Sequence, residues 1–326
     1  MKMKKEIKIT LAILTAIFGC ACLLFCGWLF GTDREPTGFN IPKADIIYQA
    51  LNHRLSIQDE SNNLIGFVNA DGSGNTLIKL KYRAYYPVFS LEAGGLFFHE
   101  NLPEPTELQG IGGGPTYFLS SSGIYKDCNS LFAEQFIFPV SATGYLLEYD
   151  SRDIELADMK TCKVIKQLVY NPDGGAMVDS AYPSYSGKSV IFTESFGLPL
   201  YGVIYIIDIE TGTVREVLQG GSNASFSPDD QRIAYVGDDG IYVANADGTG
   251  SKLIVRIDFN SYEDRYAESV ETPFPIWSPD GTTLVYHKCT NEACHDLSDF
   301  SIYKVDVNSG QEQKIIDGGL YPVWIK

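Results

Sequence analysis

Positive charge is what this sequence has least of. Its 326 residues include 25 Lys and Arg against 41 Asp and Glu, a formal net charge of −16. The first thirty residues carry Lys2, Lys4, Lys5 and Lys8 against Glu6, a local +3, so everything after them sums to −19. So acidic a body repels phosphate backbones, which excludes a nucleic-acid partner. Histidine is scarcer still, at four residues: His53, His99, His287 and His295. The Gly-x-Ser-x-Gly string of an α/β hydrolase is missing; the nearest, Gly220-Gly221-Ser222-Asn223-Ala224, lacks its last glycine. Disorder is excluded by 44% hydrophobic and 13% aromatic residues. Thirty-one glycines, fifteen prolines and twenty tyrosines among short apolar runs point to many strands and tight turns in one large all-β domain.

Residues 9–32 carry no charge, and Ile9 to Phe30 is an apolar run that would span roughly 30 Å as a helix. Lysines precede it and Asp33-Arg34-Glu35 follows, so the positive-inside rule puts the N-terminus in the cytoplasm and the body outside. The expected organisation is a basic tail (1–8), a transmembrane signal-anchor helix (9–31), a linker (32–44) and the body (45–326), in the cell membrane as a single-pass protein. Two other readings stay open: cleavage after Ala21, and acylation of Cys20, since Ile17-Phe18-Gly19-Cys20 resembles a bacterial lipobox.

The body repeats. Phe274-Pro275-Ile276-Trp277-Ser278-Pro279-Asp280-Gly281 has similar stretches at Tyr182 to Gly187 and Ser225 to Asp230. Weaker copies lie at Tyr86 to Ser90 and Pro139 to Ser141, and a half-copy at Tyr321 to Trp324. Aligned on Ser90, Ser141, Ser186, Ser227, Ser278 and Ile325, the copies are 51, 45, 41, 51 and 47 residues apart, a spacing typical of four-stranded propeller blades. Between them lies a strand ending in Asx: Ile65 to Asn69, Ile154 to Asp158, Ile204 to Asp208, Ile241 to Asn245, Ile302 to Asp306, and a degenerate copy around Tyr117-Phe118-Leu119. The first outer strands, 64–69 and 76–81, follow a strand expected at 54–59 and lack an innermost partner. Residues 321–326 are an innermost strand with no blade after it. Pairing the two closes a six-bladed β-propeller of four-stranded blades and removes an open edge.

These motifs resemble the TolB-like six-bladed propeller family, whose repeat carries the Ser-Pro-Asp-Gly turn seen at Ser278 to Gly281. The resemblance covers about residues 45–326 and implies the fold. It does not choose among a periplasmic scaffold that binds envelope proteins, a propeller domain in front of a dipeptidyl peptidase, and a polysaccharide lyase.

Most motifs with a chemical look reduce to turns. Ser186-Gly187-Lys188-Ser189 has Tyr182 where a phosphate loop needs glycine. Gly110 to Gly114 reads as a flexible loop. Asp71-Gly72-Ser73-Gly74 and Asp247-Gly248-Thr249-Gly250 lack the terminal Glu of a calcium loop and read as hairpin turns. His99 and His287 each fall nine residues after their aligned serine, at strand ends expected to be solvated. With Glu100 or Glu194 they could form a metal or acid–base site only if their blades were neighbours, which the repeat order denies. Cys289 and Cys294 bracket four residues and read as a disulfide in an oxidising compartment. Cys128 and Cys162 fall at opposite rims by repeat register and are not expected to pair.

No catalytic residue, metal or cofactor is expected. The long connections 100–115, 170–181, 194–201, 257–273 and 288–300 all belong to one face and carry many acidic residues with interleaved aromatics. Glu263, Asp264, Glu268, Tyr262 and Tyr266 are the candidate binding residues, suited to a basic protein or peptide, or to a carbohydrate stacked on aromatics. The expected function is a membrane-anchored extracytoplasmic, non-enzymatic binding module; the alternative is a propeller enzyme, a lyase or hydrolase acting on an extracellular polysaccharide or peptide.

Overall fold

In the computed structural model, residues 42–50, 64–80, 84–90, 94–100, 116–120, 125–127, 136–140, 143–149, 152–170, 177–195, 202–257, 259, 272–290 and 299–325 are described. The expected anchor and linker lie outside them. In chain order the strands are β1 (Ile46–Ala50), β2 (Leu64–Val68), β3 (Thr76–Lys79), β4 (Ala84–Ser90), β5 (Gly95–Glu100), β6 (Thr116–Ser120), β7 (Tyr125–Asp127) and β8 (Phe136–Val140). They continue with β9 (Tyr145–Tyr149), β10 (Asp153–Asp158), β11 (Lys163–Tyr170), β12 (Met177–Pro183), β13 (Ser189–Ser195), β14 (Val203–Asp208), β15 (Val214–Gln219) and β16 (Ser222–Phe226). The last are β17 (Arg232–Gly237), β18 (Gly240–Asn245), β19 (Lys252–Arg256), β20 (Ile276–Trp277), β21 (Thr283–Cys289), β22 (Phe300–Asp306), β23 (Glu312–Asp317) and β24 (Gly319–Trp324). Six four-stranded antiparallel sheets result, five of them consecutive in sequence. The sixth, in the order β24-β1-β2-β3, joins the two ends of the body. We number this joined sheet blade 1 and the others 2 to 6 in chain order.

Closure by the C-terminal strand is as the strand count required, but its partner is not 54–59, which lies outside the described residues. It is β1, with Ile46 opposite Trp324 and Ala50 opposite Gly319. Ile46, Ile47 and Tyr48 are fully buried and match Leu284, Val285 and Tyr286 of blade 6, so the second strand of blade 1 begins eight residues earlier than the loose repeat suggested. The aligned serines shift as well. The first hairpin of blade 4 closes by Ser184 N–H to Ser189 C=O, so Ser184, not Ser186, matches Ser227 and Ser278. In blade 3 Val140, opposite Tyr145, holds that place, not Ser141.

The repeated turn is a hydrogen-bond device. The Ser278 hydroxyl donates to Asp280 (2.6 Å) and accepts from Thr283 N–H (3.0 Å), while Asp280 also accepts from Thr282 N–H (3.0 Å). Gly281 supplies the left-handed residue at φ 68°. Blade 5 repeats this around Ser227 and Asp229, but Asp230 stands in the glycine's place at φ 56°. That conformation costs about 1 kcal/mol for a non-glycine. It is offset by a gain between blades, because the Asp230 carboxylate accepts from Tyr185 N–H (2.9 Å) and Ser186 N–H (3.1 Å) of blade 4. The Asx turns work alike: Asp208 and Asp306 accept from Thr211 and Ser309 N–H (2.7 Å each), followed by Gly212 and Gly310 with positive φ. Asp158 does the same with Thr161, but the left-handed residue there is Cys162, at φ 54° and 2% exposed. The segments at Asp71 and Asp247 are hairpin turns, each carboxylate accepting the amide two residues on.

The core lies between blades. Leu284 and Tyr286 of blade 6 pack with Ala234, Val236 and Ile241 of blade 5. Val285 and Ile302, on the other face of blade 6, pack with Ile46, Val68 and Trp324 of blade 1. Strands apolar on both faces therefore stay buried only while each blade has two neighbours. A cross-strand pair recurs at one register of the second and third strands. Phe98 stacks on Tyr117, Phe192 on Tyr205, Tyr235 on Tyr242 and Tyr286 on Tyr303, with centroids 5.3–6.2 Å apart. Such pairs are worth about 0.5–1.5 kcal/mol beyond their buried area. In blade 1 Tyr48 occupies the slot opposite Gly66, where a Cβ would fall 2.0 Å from its ring.

Blade 3 breaks this rule. Its pair is Glu148 opposite Glu155. Glu148 is fully buried, on the same strand face as Leu146, which packs on Phe97 of blade 2. Among the described residues neither carboxyl oxygen has a hydrogen-bond partner. Burial first, and then the negative charge of Glu155, push its pKa from 4.5 to about 8. The group is thus a neutral acid below about pH 8.

Two outcomes follow from this architecture. Removing residues 321–326 should leave the body aggregated or without near-ultraviolet circular dichroism, because it bares β1 and removes Trp324, whose indole N–H bonds Ile276 C=O (3.2 Å) in blade 6. Trp324→Ala alone should cost about 3–5 kcal/mol in a urea titration; native stability of the truncated chain would sink the closure argument. For Glu148, the folded pKa exceeds the unfolded one, so its contribution to stability is full below about pH 4.5 and is lost as pH rises through about 8. Relative to wild type, Glu148→Gln should gain stability between pH 5 and pH 9, by on the order of a few kcal/mol. A constant offset between the two urea midpoints across that range contradicts it.

Candidate axial binding site

The innermost strands run from the rim of the long connections toward the rim of the short turns, so residues four before the turn-forming position lie nearer the long-connection rim. Tyr86, Phe274 and Tyr321 hold that level in blades 2, 6 and 1. One step deeper, two residues before the turn-forming position, Phe138 and Tyr182 come from blades 3 and 4. Each of these five aromatics precedes a proline, which fixes φ and offers no amide to a neighbour. Blade 5 has the small polar Asn223 and Ser225 at the two levels. Asn223 is turned outward, its amide donating to Thr272 Oγ1 (2.8 Å) and Pro273 C=O (3.1 Å). The space it vacates lets Tyr182 of blade 4 reach Phe274 of blade 6.

The five rings converge on the axis. Centroid distances are 4.1 Å for Tyr86–Tyr321, 4.3 Å for Phe138–Tyr182 and 4.9 Å for Tyr182–Phe274. The Tyr86 and Tyr321 hydroxyls are 3.2 Å apart. They line, with Tyr149 and the aliphatic Val88, Ile276 and Val323, a cavity of about 40 Å³, room for a few water-sized groups. Backbone strain is concentrated at this level: Tyr86, Asn223 and Tyr321 all have φ of 48–50°, each within an irregularity of its strand pairing. Burial drives the Tyr182 hydroxyl well above the usual tyrosine range, and Tyr149 likewise.

Two carboxylates stand at the same rim on blade 4. Asp179 is the bulged residue of β12 and Glu194 lies opposite Val178 on β13; both were expected in loops and are on strands. Burial raises both pKa values, against a hydrogen bond from Ser195 in the case of Asp179. Asp179 is close enough to Tyr149 for its charge to be felt there. Neither joins an ion pair among the described residues.

The structure does not bring the expected binding residues into view: Glu263, Asp264, Glu268, Tyr262 and Tyr266 lie outside the described residues. The axial ring was missed by sequence, although the recurring aromatic-proline dipeptide carried the signal. His287 is no solvated strand end. It is fully buried, its Nδ1 accepting Tyr321 N–H (3.4 Å) and its ring edge-on to Tyr321 at 5.1 Å. Packing against the closing strand β24 is what buries it. His99 ends β5 in blade 2, and blade 1 separates it from His287. Among the described residues no group of three or more His, Cys, Asp or Glu could hold a metal.

Cys289 is disulfide-bonded, and so is Cys162; both partners lie outside the described residues. Cys128, which the repeat register sets at the opposite rim from Cys162, lies outside the described residues.

Residues 184–315 match the family model of the dipeptidyl peptidase IV N-terminal region, about two-fifths of the chain. No curated protein matches the sequence. Among solved structures, TolB from Acinetobacter baumannii is 16% identical with a TM-score of 0.61, over 92% of this chain and 69% of that one. A putative TolB from Agrobacterium tumefaciens is 14% identical with a TM-score of 0.58, over 86% and 98%. An oligogalacturonate lyase in complex with manganese is 15% identical with a TM-score of 0.50, over 77% and 71%. At these identities the likeness is one of fold. The chain is a six-bladed β-propeller with the fold of TolB.

Proposed function

We propose that this chain is a membrane-anchored extracytoplasmic module that binds a basic protein or peptide at the mouth of its axis, without catalysis. The observation that carries the reading is the aromatic floor of that mouth, set on the rim from which the long acidic connections depart, with Asp179 and Glu194 of blade 4 at the same rim and in no ion pair among the described residues. Rigid aromatic surfaces supply contact energy at little entropic cost, while surrounding charge sets the rate and sign of association. The disulfides at Cys162 and Cys289 support an oxidising compartment, where a positive-inside anchor at 9–31 would put the body. Pairing of Cys289 with Cys294 belongs to the same proposal.

Charge reversal of Glu263, Asp264 and Glu268 together should weaken binding of a basic partner and flatten its dependence on salt. Reversal of Asp229, Asp230 and Asp280 on the opposite rim should leave affinity nearly unchanged and lower the melting temperature, because those carboxylates hold turn amides. Titrations at low and high ionic strength separate the cases, and equal losses from both rims defeat the assignment. In fractionated cells the protein should leave membranes with detergent and not with high salt; a soluble form beginning near Cys22 contradicts the anchor.

A further inference from the structure

The axial site has a chemistry more specific than an acidic, aromatic mouth. We infer that the aromatic ring is a cation site, which takes the ammonium or guanidinium of one Lys or Arg side chain carried in along the axis by a basic peptide. The inference rests on the binding reading above and names the group that is bound.

Three observations carry it. The first is the lining: rings from five of the six blades converge on one small cavity, and aromatic faces attract cations through their quadrupoles. Among the described residues this contact recurs, with Arg232 4.5 Å from the Trp277 ring centre and Lys288 4.3 Å from that of Tyr303. The second is charge. Asp179 and Glu194 stand at the same rim on blade 4, with no ion pair among the described residues. Both carboxylates bear a burial penalty on their charged form, which an arriving cation relieves. The third is size. The cavity, about 40 Å³, has room for the head of a side chain.

The test uses the full chain in detergent micelles, titrated calorimetrically at low ionic strength with acetyl-Gly-Lys-Gly-amide, its norleucine analogue and maltotriose. The lysine peptide should bind about tenfold more tightly than the norleucine peptide. Phe274→Leu, Phe138→Leu and Asp179→Asn should each bring the two peptides together. Should a Phe→Leu variant fail to fold, Asp179→Asn, which removes a charge and leaves the aromatic rings in place, still decides. Equal binding of the two peptides, preference for maltotriose, or no binding by any probe overturns the inference. A hexalysine peptide separates it from the broader reading. Binding that is lost on reversing Glu263, Asp264 and Glu268 but indifferent to Phe274→Leu and Asp179→Asn leaves the mouth as the site and removes the cation cage. Binding indifferent to all of them removes both.

Discussion

Each blade is apolar on both faces, so none can be an end. Leu284 and Tyr286 of blade 6 look one way and Val285 and Ile302 look the other, and every such face is covered by a neighbouring blade. An open row of six would leave two uncovered faces and bare the unpaired edge of β1. Pairing β24 with β1 resolves both at once, since it completes the strand order of blade 1 and wedges Trp324 against blade 6. The axial site is a consequence of this closure. Tyr321 sits on the closing strand, touches Tyr86 of blade 2, and lies against the buried His287 of blade 6, so the ring of aromatics exists only in the closed form.

Much of this was legible in sequence because the blades repeat a chemistry and not merely a pattern. Ser-Pro-Asp-Gly reads as a turn because serine and aspartate each accept a turn amide and glycine takes the left-handed place, and the structure has those bonds. The strands ending in Asx were placed for the same reason. Errors arose where identity was followed in place of register. Ser186 looked like the repeat serine, but the hairpin closes at Ser184. The second strand of blade 1 was sought at 54–59, whereas the buried aromatic that marks this strand in other blades was present as Tyr48. The burial of His287 depends on a strand more than thirty residues away and has no local signal. The acidic connections were read as the working surface, and the aromatic floor beneath them was overlooked because its members come from two levels of the barrel axis, Tyr86, Phe274 and Tyr321 at one and Phe138 and Tyr182 at the other.

The six blades also serve as controls for one another. A departure from the repeat costs stability, and in most places the structure shows what offsets it. Asp230 takes a glycine's conformation and ties blade 5 to two amides of blade 4. Cys162 takes another and is disulfide-bonded. Asn223 replaces an aromatic at a strained position and secures the chain that enters blade 6, while clearing room for Tyr182. Glu148 differs from all three. It replaces a stacked aromatic, is fully buried, and has no partner for either oxygen among the described residues. A buried acid without hydrogen bonds lowers stability whether neutral or charged, and more so when charged. Blade 3 is therefore the weakest link of the ring at alkaline pH, and it is also the blade that sets Phe138 against Tyr182 and Tyr149 beside Asp179.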